Sequence, residues 1–200
     1  MKLKDAVAIE CAIFEQLSPY CERYQVAGSV RRNKPEVNDL EIVVVPKEQA
    51  GGTDLFGDTI WVRDREFINV IRKMKAIKGE PTGRYTRRIY GDPPRIEIDF
   101  FICQRDNFGL MYAIRTGPVE FSHYLTKRAH YKGLKIQGGM LTEGGRTIPI
   151  RDEDELFLKL GMPFVFPEAR MQYVETVAPD IVAMHKKGVV DGNPEVSDER

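Results

Sequence analysis

Two short apolar segments of the chain carry acidic residues at alternate positions. Asp39 and Glu41 lie at the start of DLEIVVVP, and Glu97 and Asp99 have the same spacing in RIEIDFFI. Both segments are rich in the β-branched and aromatic residues that favour strands. Because successive side chains point to opposite faces of a strand, each acidic pair projects from one face while apolar residues occupy the other.

Three carboxylates on neighbouring strands would form a binding site for cations. If the two strands lie side by side, Asp99 joins Asp39 and Glu41, and the three charges raise one another's pKa unless a cation lies among them. Oxygen ligands without His or Cys suit Mg²⁺ or Mn²⁺. Two such ions, about 3.5–4 Å apart, can hold the attacking and leaving oxygens of a displacement at phosphorus. The acidic residues therefore predict a two-metal site for phosphate chemistry.

A Gly-Ser turn followed by two arginines precedes the first acidic pair. Gly28 allows the backbone to approach a ligand closely, and Ser29 offers a hydroxyl and an amide. Arg31 or Arg32 can bind a phosphate through the two-pronged guanidinium. A Gly-Ser turn alone is usually only a loop, but its combination with the acidic strand is more specific and predicts a phosphate-binding segment beside the metal ligands.

Apolar spacing and turn residues predict the elements that position these residues in the first half of the chain. In chain order they are a helix over residues 3–17, strands at 25–27 and 39–46, a loop at 51–58, a helix over 64–78, and a hairpin of YTRRIY and RIEIDFFI through the turn GDPP.

The second half of the chain changes to helices and short polar strands, and we place a boundary near residue 108. Acidic residues favour helix starts and Pro118 suits a first helical turn, whereas glycines mark turns. The predicted elements are a helix in FGLMYAIR, a helix after Pro118, a glycine-turned hairpin over 134–150, a short helix from Asp152 to Gly161, and, beyond residue 170, one more helix and a polar tail.

Composition indicates an ordinary globular protein, with 42% hydrophobic residues. No apolar run approaches the roughly 20 residues that span a bilayer, and the first residues lack the features of a secretory signal. We therefore expect a cytoplasmic protein without membrane contacts. The three cysteines and three histidines are scattered and predict neither disulfides nor a zinc site.

Charge is unevenly distributed although the formal net charge is zero. Residues 61–140 contain 16 Lys and Arg against 8 Asp and Glu, whereas both flanking segments are acidic. A basic segment of this kind can bind the phosphates of a nucleic acid. It can equally be a solvated surface of mixed charge, and the charge pattern alone leaves both interpretations open.

Two longer motifs resemble a known family. GSVRRNKPEVNDLE is similar to the signature of the nucleotidyltransferase superfamily, specifically the family X DNA polymerases, whose palm reads Gly-Ser-x-Arg-Arg followed by Asp-x-Asp at the same spacing. RTGPVEFSHYLTKRAHYKGLKIQGGMLT and RDEDELFLKLGMPFVFPEAR are similar to the thumb subdomain of that family. Together the motifs extend the resemblance over about residues 5–170.

The resemblance implies an α+β fold. Residues 1–108 would form a nucleotidyltransferase palm with a mixed sheet, 109–170 a small α/β thumb, and 171–200 an appended helix and tail. With no segment before the palm, we expect no lyase activity. By position in the motif, Asp39 and Glu41 would bind two Mg²⁺ or Mn²⁺ ions, and Asp99 would bind a metal and accept the proton of the primer hydroxyl.

The resemblance also implies partners. A nucleoside triphosphate would contact the Gly28-Ser29 turn and the Thr116-Gly117 turn. Gapped or primer-template DNA would lie on basic residues of the thumb, and the protein would be a monomer. The implied nucleotide-binding residues are Gly28, Ser29, Arg32, Thr116 and Gly117, and the implied DNA-binding residues are Lys127, Arg128, Lys132 and Lys135.

Departures from the family pattern keep other functions in view. Glu41 stands where family X has Asp, Ile114 and Arg115 replace an aromatic pair, and Ser122 and Thr126 replace residues that read the minor groove. The leading hypothesis is a DNA polymerase that fills short gaps in DNA repair. The alternatives are a template-independent nucleotidyltransferase acting on RNA ends, a protein or a small molecule, and a nucleic-acid-binding protein with little or no activity.

Overall fold

The computed structural model describes residues 1–91 and 95–187 and has the α+β fold expected from the sequence. Its contacts divide the chain into two units. The first comprises Met1–Val26 and Lys34–Gln104, and the second comprises Ala27–Asn33 and the chain from Arg105 onward. The Gly-Ser segment, which the sequence places in the palm, thus belongs to the second unit. The assignment of the units to a palm and a thumb stays a prediction.

A five-stranded mixed sheet forms the centre of the first unit, with strand order β1-β2-β7-β6-β5. Strands β2 and β7 are parallel, whereas the other neighbours are antiparallel. The strands of this sheet are β1 (Cys21–Val26), β2 (Asp39–Pro46), β5 (Lys75–Lys78), β6 (Tyr85–Tyr90) and β7 (Ile96–Ile102).

The core of the first unit comes from the β-branched and aromatic segments. Every residue of β2 is buried except Asp39 and Glu41, which are partly buried, and β7 is buried except at Glu97. Helix α1 (Leu3–Leu17) contributes Ala6, Ile13 and Leu17 and ends before Pro19, in agreement with the predicted bounds. The hairpin of β6 and β7 is confirmed, but residues 92–94 of its predicted turn lie outside the described residues.

Helix α3 (Arg65–Arg72) is shorter than the predicted helix over 64–78. It begins as expected, because the Asp64 carboxylate accepts hydrogen bonds from the amides of Glu66 and Phe67. Lys75–Lys78 instead form strand β5, which pairs with β6. Strand pairing with the sheet thus outweighs the helical spacing, which is only a weak preference.

The predicted loop at residues 51–58 is wrong over part of its length. Strands β3 (Glu48–Thr53) and β4 (Thr59–Arg63) form an antiparallel hairpin. The Asp54 carboxylate holds the connecting turn by accepting hydrogen bonds from the amides of Phe56 and Asp58. The hairpin carries exposed apolar side chains, including the chain's single tryptophan, Trp61.

The second unit is mainly helical, with a three-stranded antiparallel sheet of order β10-β9-β8. Its apolar core includes Phe121, Leu125, Leu156 and Phe157. Its elements are α2 (Gly28–Arg31), α4 (Phe108–Thr116), α5 (Val119–Tyr131), β8 (Lys135–Gln137), β9 (Met140–Glu143), β10 (Arg146–Ile148), α6 (Glu153–Leu160), α7 (Arg170–Val177) and α8 (Pro179–Lys186).

The end of the second unit differs from its prediction. One appended helix was expected beyond residue 170, whereas the described residues form two, α7 and α8, and Pro179 is the first residue of α8. The predicted polar tail, DGNPEVSDER at 191–200, lies outside the described residues. Within the described residues, no helix combines the length and apolar character that crossing a membrane requires.

Candidate active site

The parallel pairing of β2 and β7 aligns the acidic residues of the first unit. Asp39 is the register partner of Glu97, and Glu41 is the register partner of Asp99. Side chains that are partners in register lie on the same face of a sheet. The structure thus brings the three predicted metal ligands, Asp39, Glu41 and Asp99, onto one face of the sheet, with Glu97 as a fourth carboxylate.

An arginine on the neighbouring strand binds this face. Arg87 in β6 is the register partner of Asp99. Its Nε and Nη2 atoms donate to the two Asp99 carboxylate oxygens at 2.6 and 2.5 Å, and its Nη1 donates to Glu97 at 3.0 Å. Nη2 also lies 3.9 Å from an Asp39 oxygen. Tyr85 completes the cluster by donating its hydroxyl to Asp99 Oδ1 at 2.7 Å.

Arg87 and Tyr85 were missed by the sequence reasoning, although a signal was present. YTRRIY and RIEIDFFI were predicted to form an antiparallel hairpin. In such a hairpin, every second residue of one strand lies beside every second residue of the other strand, on the same face of the sheet. The register that places Arg87 opposite Asp99 depends on the turn length, which the sequence leaves undefined.

Burial and charge shift the pKa values of this cluster. The Asp39 pKa is raised, first by burial and then by the nearby Asp99 charge, while Arg87 opposes the shift. The pKa of Tyr85 is raised to about 12 by burial and by its hydrogen bond to Asp99. The hydrogen bond to Asp99 also raises the pKa of Arg87. The cluster is therefore an anionic site that Arg87 neutralises in part.

The donor chemistry of this face fits a hard divalent cation, because it consists of carboxylate oxygens. Among the described residues, however, no three His, Cys, Asp or Glu side chains are grouped as ligands of one ion. The Arg87 guanidinium already occupies both oxygens of Asp99. The assignment of Asp39, Glu41 and Asp99 as metal ligands stays a prediction that requires Arg87 to release Asp99.

The Gly-Ser segment of the second unit has features of an anion-binding turn. Gly28 has a φ of 58°, which a glycine adopts without strain, and it opens the short helix α2. The Ser29 hydroxyl oxygen is buried, and no hydrogen-bond partner reaches it among the residues that the structure describes. A buried hydroxyl without a partner is costly unless a ligand satisfies it.

The two arginines of this segment have different surroundings. Arg31 donates to Glu153 at 2.8 and 2.5 Å and to the Thr116 hydroxyl at 2.6 Å. Its guanidinium also lies 3.6 Å from the centroid of the Tyr112 ring. Arg31 is therefore bound inside the unit, which leaves Arg32 as the phosphate-binding candidate of the pair.

Arg32 lies against the Thr116–Gly117 turn. Its Nη1 donates to the Thr116 carbonyl oxygen. Gly117 has a φ of 63°, and a Cβ atom at this position would lie 3.0 Å from the same Nη1. The turn thus requires glycine both for its backbone and for the close approach of Arg32. The structure brings Arg32, Thr116 and Gly117 together.

The basic residues predicted to bind DNA fall into two groups. Lys127 donates to Asp180 at 2.6 Å, and Arg128 donates to the carbonyl oxygens of Leu160 and Gly161 at the end of α6, both at 2.9 Å. Lys132 and Lys135 are exposed. The structure therefore gives Lys127 and Arg128 intramolecular partners, and the two exposed lysines are the better candidates for phosphate contacts.

Comparison with protein families gives a match to part of the chain. The family model for the DNA polymerase beta thumb matches residues 111–171. These residues include most of the segment predicted to be a thumb. No curated protein matches the chain. The chain thus carries a segment similar to the DNA polymerase beta thumb, which supports a relationship to the family X DNA polymerases.

Proposed function

We propose that this chain is a nucleotidyltransferase of the family X type, which adds nucleotides from nucleoside triphosphates to the 3′ hydroxyl of a DNA primer. The observation that carries the proposal is the pairing of Glu41 with Asp99 on parallel strands, which places three carboxylates on one sheet face. The match of residues 111–171 to a polymerase thumb supports DNA as the substrate class.

The carboxylates would hold the metal ions. Asp39, Glu41 and Asp99 supply oxygen ligands suited to two Mg²⁺ or Mn²⁺ ions. Bound there, the ions would stabilise the charge that develops on the attacking and leaving oxygens. Asp99, once released by Arg87, is also the group proposed to accept the proton of the primer hydroxyl, since a carboxylate is a suitable general base.

Two segments of the second unit would bind the nucleotide. Ser29 offers a buried hydroxyl without a described partner, and Arg32 offers a guanidinium that is held beside the Thr116–Gly117 turn. Hydroxyl and guanidinium donors are the usual ligands of phosphate oxygens. We propose that Gly28, Ser29, Arg32 and the second turn bind the triphosphate.

The exposed lysines of the second unit would contact the DNA backbone. Lys132 and Lys135 lie at the end of α5 and the start of β8, within the segment that matches the polymerase thumb. Phosphate contacts position a duplex without reading its sequence. We propose that the protein acts as a monomer and fills short gaps during DNA repair.

A template-independent nucleotidyltransferase is a second candidate, and one observation favours it. Ile114, which stands where family X has an aromatic residue, is buried in the apolar core of its unit. A side chain held in the core is not available to pack on an incoming sugar. Control of the sugar and of the template could therefore be weaker than in the family.

Primer extension separates these functions. The substrates are a gapped duplex, single-stranded DNA and an RNA end, each with Mg²⁺ and with Mn²⁺. We expect extension of the gapped duplex, and we expect Asp99→Asn to remove it because an amide neither accepts the proton nor binds the metal well. Asp5→Asn, an exposed change in α1, is the matched control.

The other outcomes identify the alternatives. Extension of single strands or RNA ends in preference to the gap would favour the template-independent enzyme. If the parent chain bound DNA but extended no substrate with either metal, the proposal would fail in favour of a binding protein. Activity of Asp99→Asn equal to that of the parent would remove Asp99 from the site.

A further inference from the structure

The Arg87 guanidinium lies where the acidic face would hold a cation. It donates to both oxygens of Asp99, at 2.6 and 2.5 Å, and to Glu97 at 3.0 Å. It also lies 3.9 Å from Asp39. One arginine thus interacts with three of the four carboxylates on this face, and it neutralises much of their mutual repulsion.

We propose that Arg87 is a resident counter-ion that competes with divalent cations for Asp99, and that Glu97 receives Arg87 when Asp99 binds a cation. The inference rests on the proposed role of Asp99 as a metal ligand. Arg87 and Glu97 set the metal affinity of this site without being ligands themselves.

Competition follows from charge and geometry. A guanidinium that occupies both oxygens of a carboxylate leaves only their outer lone pairs for another ligand, and Tyr85 already donates to Asp99 Oδ1. A divalent cation at those lone pairs would lie within a few ångströms of the Arg87 charge, at a separation where like charges repel strongly in a partly buried site. Asp99 is only 5% exposed, so water does little to screen this repulsion. Arg87 must therefore move before Asp99 can bind a cation tightly.

Glu97 is suited to receive the arginine. It already accepts a hydrogen bond from Arg87 Nη1, and its carboxylate is about half exposed, which leaves room for a new geometry. The Arg87 side chain is itself 32% exposed and can turn without disturbing the apolar core. Arg87 would keep one carboxylate partner in both positions, and no charge on this face would be left buried and unpaired.

Binding of Mn²⁺ to the 200-residue chain, measured by titration calorimetry without nucleotide or DNA, tests the proposal. Arg87→Gln should bind Mn²⁺ at least about tenfold more tightly than the parent, because the competing charge is gone. Arg87→Lys, which keeps the charge but cannot bridge both oxygens, should lie between them. Lys75→Gln, an exposed change on neighbouring strand β5, controls for the loss of one positive charge.

The role of Glu97 requires a double-mutant comparison. Glu97→Gln should weaken Mn²⁺ binding in the parent, since Arg87 then has a poorer alternative to Asp99. The same change should have a clearly smaller effect in the Arg87→Gln background, because the residue acts through Arg87. An equal effect in both backgrounds would show that Glu97 acts only through its own charge, and would overturn its assigned role.

Folding of the variants is followed in parallel. Metal-free Arg87→Gln should melt at a lower temperature than the parent, because the carboxylates repel one another, and Mn²⁺ should restore more of its stability than of the parent's. If Arg87→Gln does not fold, Arg87→Lys supplies the comparison, and affinity equal to that of the parent would then overturn the proposal.

Asp99→Asn distinguishes failure of the proposed metal site from failure of the proposed competition by Arg87. If this variant binds Mn²⁺ as tightly as the parent, Asp99 is not a ligand and the proposed metal site itself is wrong. If Asp99→Asn loses Mn²⁺ binding while Arg87→Gln behaves like Lys75→Gln, the metal site stands and only the competition by Arg87 is overturned.

Discussion

Arg31 and Arg170 share the carboxylate of Glu153. Arg31 donates to both of its oxygens, and Arg170 donates to Oε1 at 2.7 Å from a position with no exposed surface. The sequence indicates Glu153 only as an acidic residue at a helix start, where the helix dipole favours it. In the structure it is a buried partner that ties the Gly-Ser segment to the helical core of its unit.

Loss of this carboxylate should destabilise the protein. Glu153→Gln leaves the buried Arg170 charge without its counter-ion, and we expect the free energy of unfolding to fall by about 3 kcal/mol. Burial already lowers the pKa of Arg170, and the Glu153 charge opposes that shift. Urea unfolding followed by circular dichroism measures the change, with the exposed Asp154→Asn on the same helix as control. Equal stability of the two variants would contradict the prediction.

The Glu41 side chain should be matched to its site. Glutamate carries its carboxylate about 1.5 Å farther from the backbone than aspartate, whereas a catalytic site tolerates about 0.5 Å of misplacement. We expect Glu41→Asp to slow primer extension and Glu41→Gln nearly to abolish it, with both Mg²⁺ and Mn²⁺. Faster Mg²⁺-dependent extension by Glu41→Asp would instead show that the longer side chain impairs the site.

DNA affinity should depend on salt mainly through the exposed lysines. Replacing Lys132 and Lys135 with alanine should reduce the slope of log affinity against log salt by about 1.8, if each lysine contacts one phosphate. Lys127→Ala should change the slope less, because Lys127 is paired with Asp180. Fluorescence anisotropy with a labelled gapped duplex measures the slopes. Lys186 and Lys187, also exposed, supply the matched double alanine control, and an equal slope in both double variants would place the DNA elsewhere.

The stability of the second unit should decrease in mild acid. His123 Nδ1 lies 3.0 Å from His185 Nε2, and the pKa of His123 is lowered by burial, by His185 and by Lys127. The unfolded chain therefore binds protons more readily than the folded chain. The stability linked to neutral His123 is complete above the unfolded pKa of about 6.5 and is lost as the pH falls through the lower folded pKa.

Melting temperatures at pH 7.5 and 5.5 test this effect. His123→Gln should reduce the difference between the two pH values, because the titrating group with the lowered pKa is gone. The exposed His130→Gln should leave the difference as in the parent. A parent-like difference in His123→Gln would assign the acid sensitivity to other groups.

Strands β2 and β7 were predictable because each combines a β-branched or aromatic run with strict alternation of acidic and apolar residues. Strand β3, with the sequence EQAGGT, lacks these signals. Gly51 and Gly52 weaken the strand preference of β3, and pairing with β4 supplies the order that the local sequence does not. Local pattern therefore identified β2 and β7 and missed β3 and β5, which depend on their partner strands.

The residues of the candidate site also divide into those that the sequence pattern predicts and those that it does not. The face on which Asp39, Glu41 and Asp99 project follows from alternation along single strands, which the sequence displays directly. Arg87 reaches Asp99 across a hairpin whose register depends on the turn, and Glu153 reaches Arg31 from a segment that is distant in the sequence. The hydroxyl of Ser29 was a candidate from its motif, but its burial without a described partner is a property of the packed unit.

The position of Trp61 determines what its fluorescence can report. The chain has one tryptophan, and it is 62% exposed on strand β4. An indole in water emits at long wavelength in the folded and the unfolded chain alike, so loss of the core should leave the emission maximum nearly unchanged. A molecule that docks on the β3–β4 hairpin would shift the emission to shorter wavelength, and Trp61 is thus a built-in optical probe of that surface.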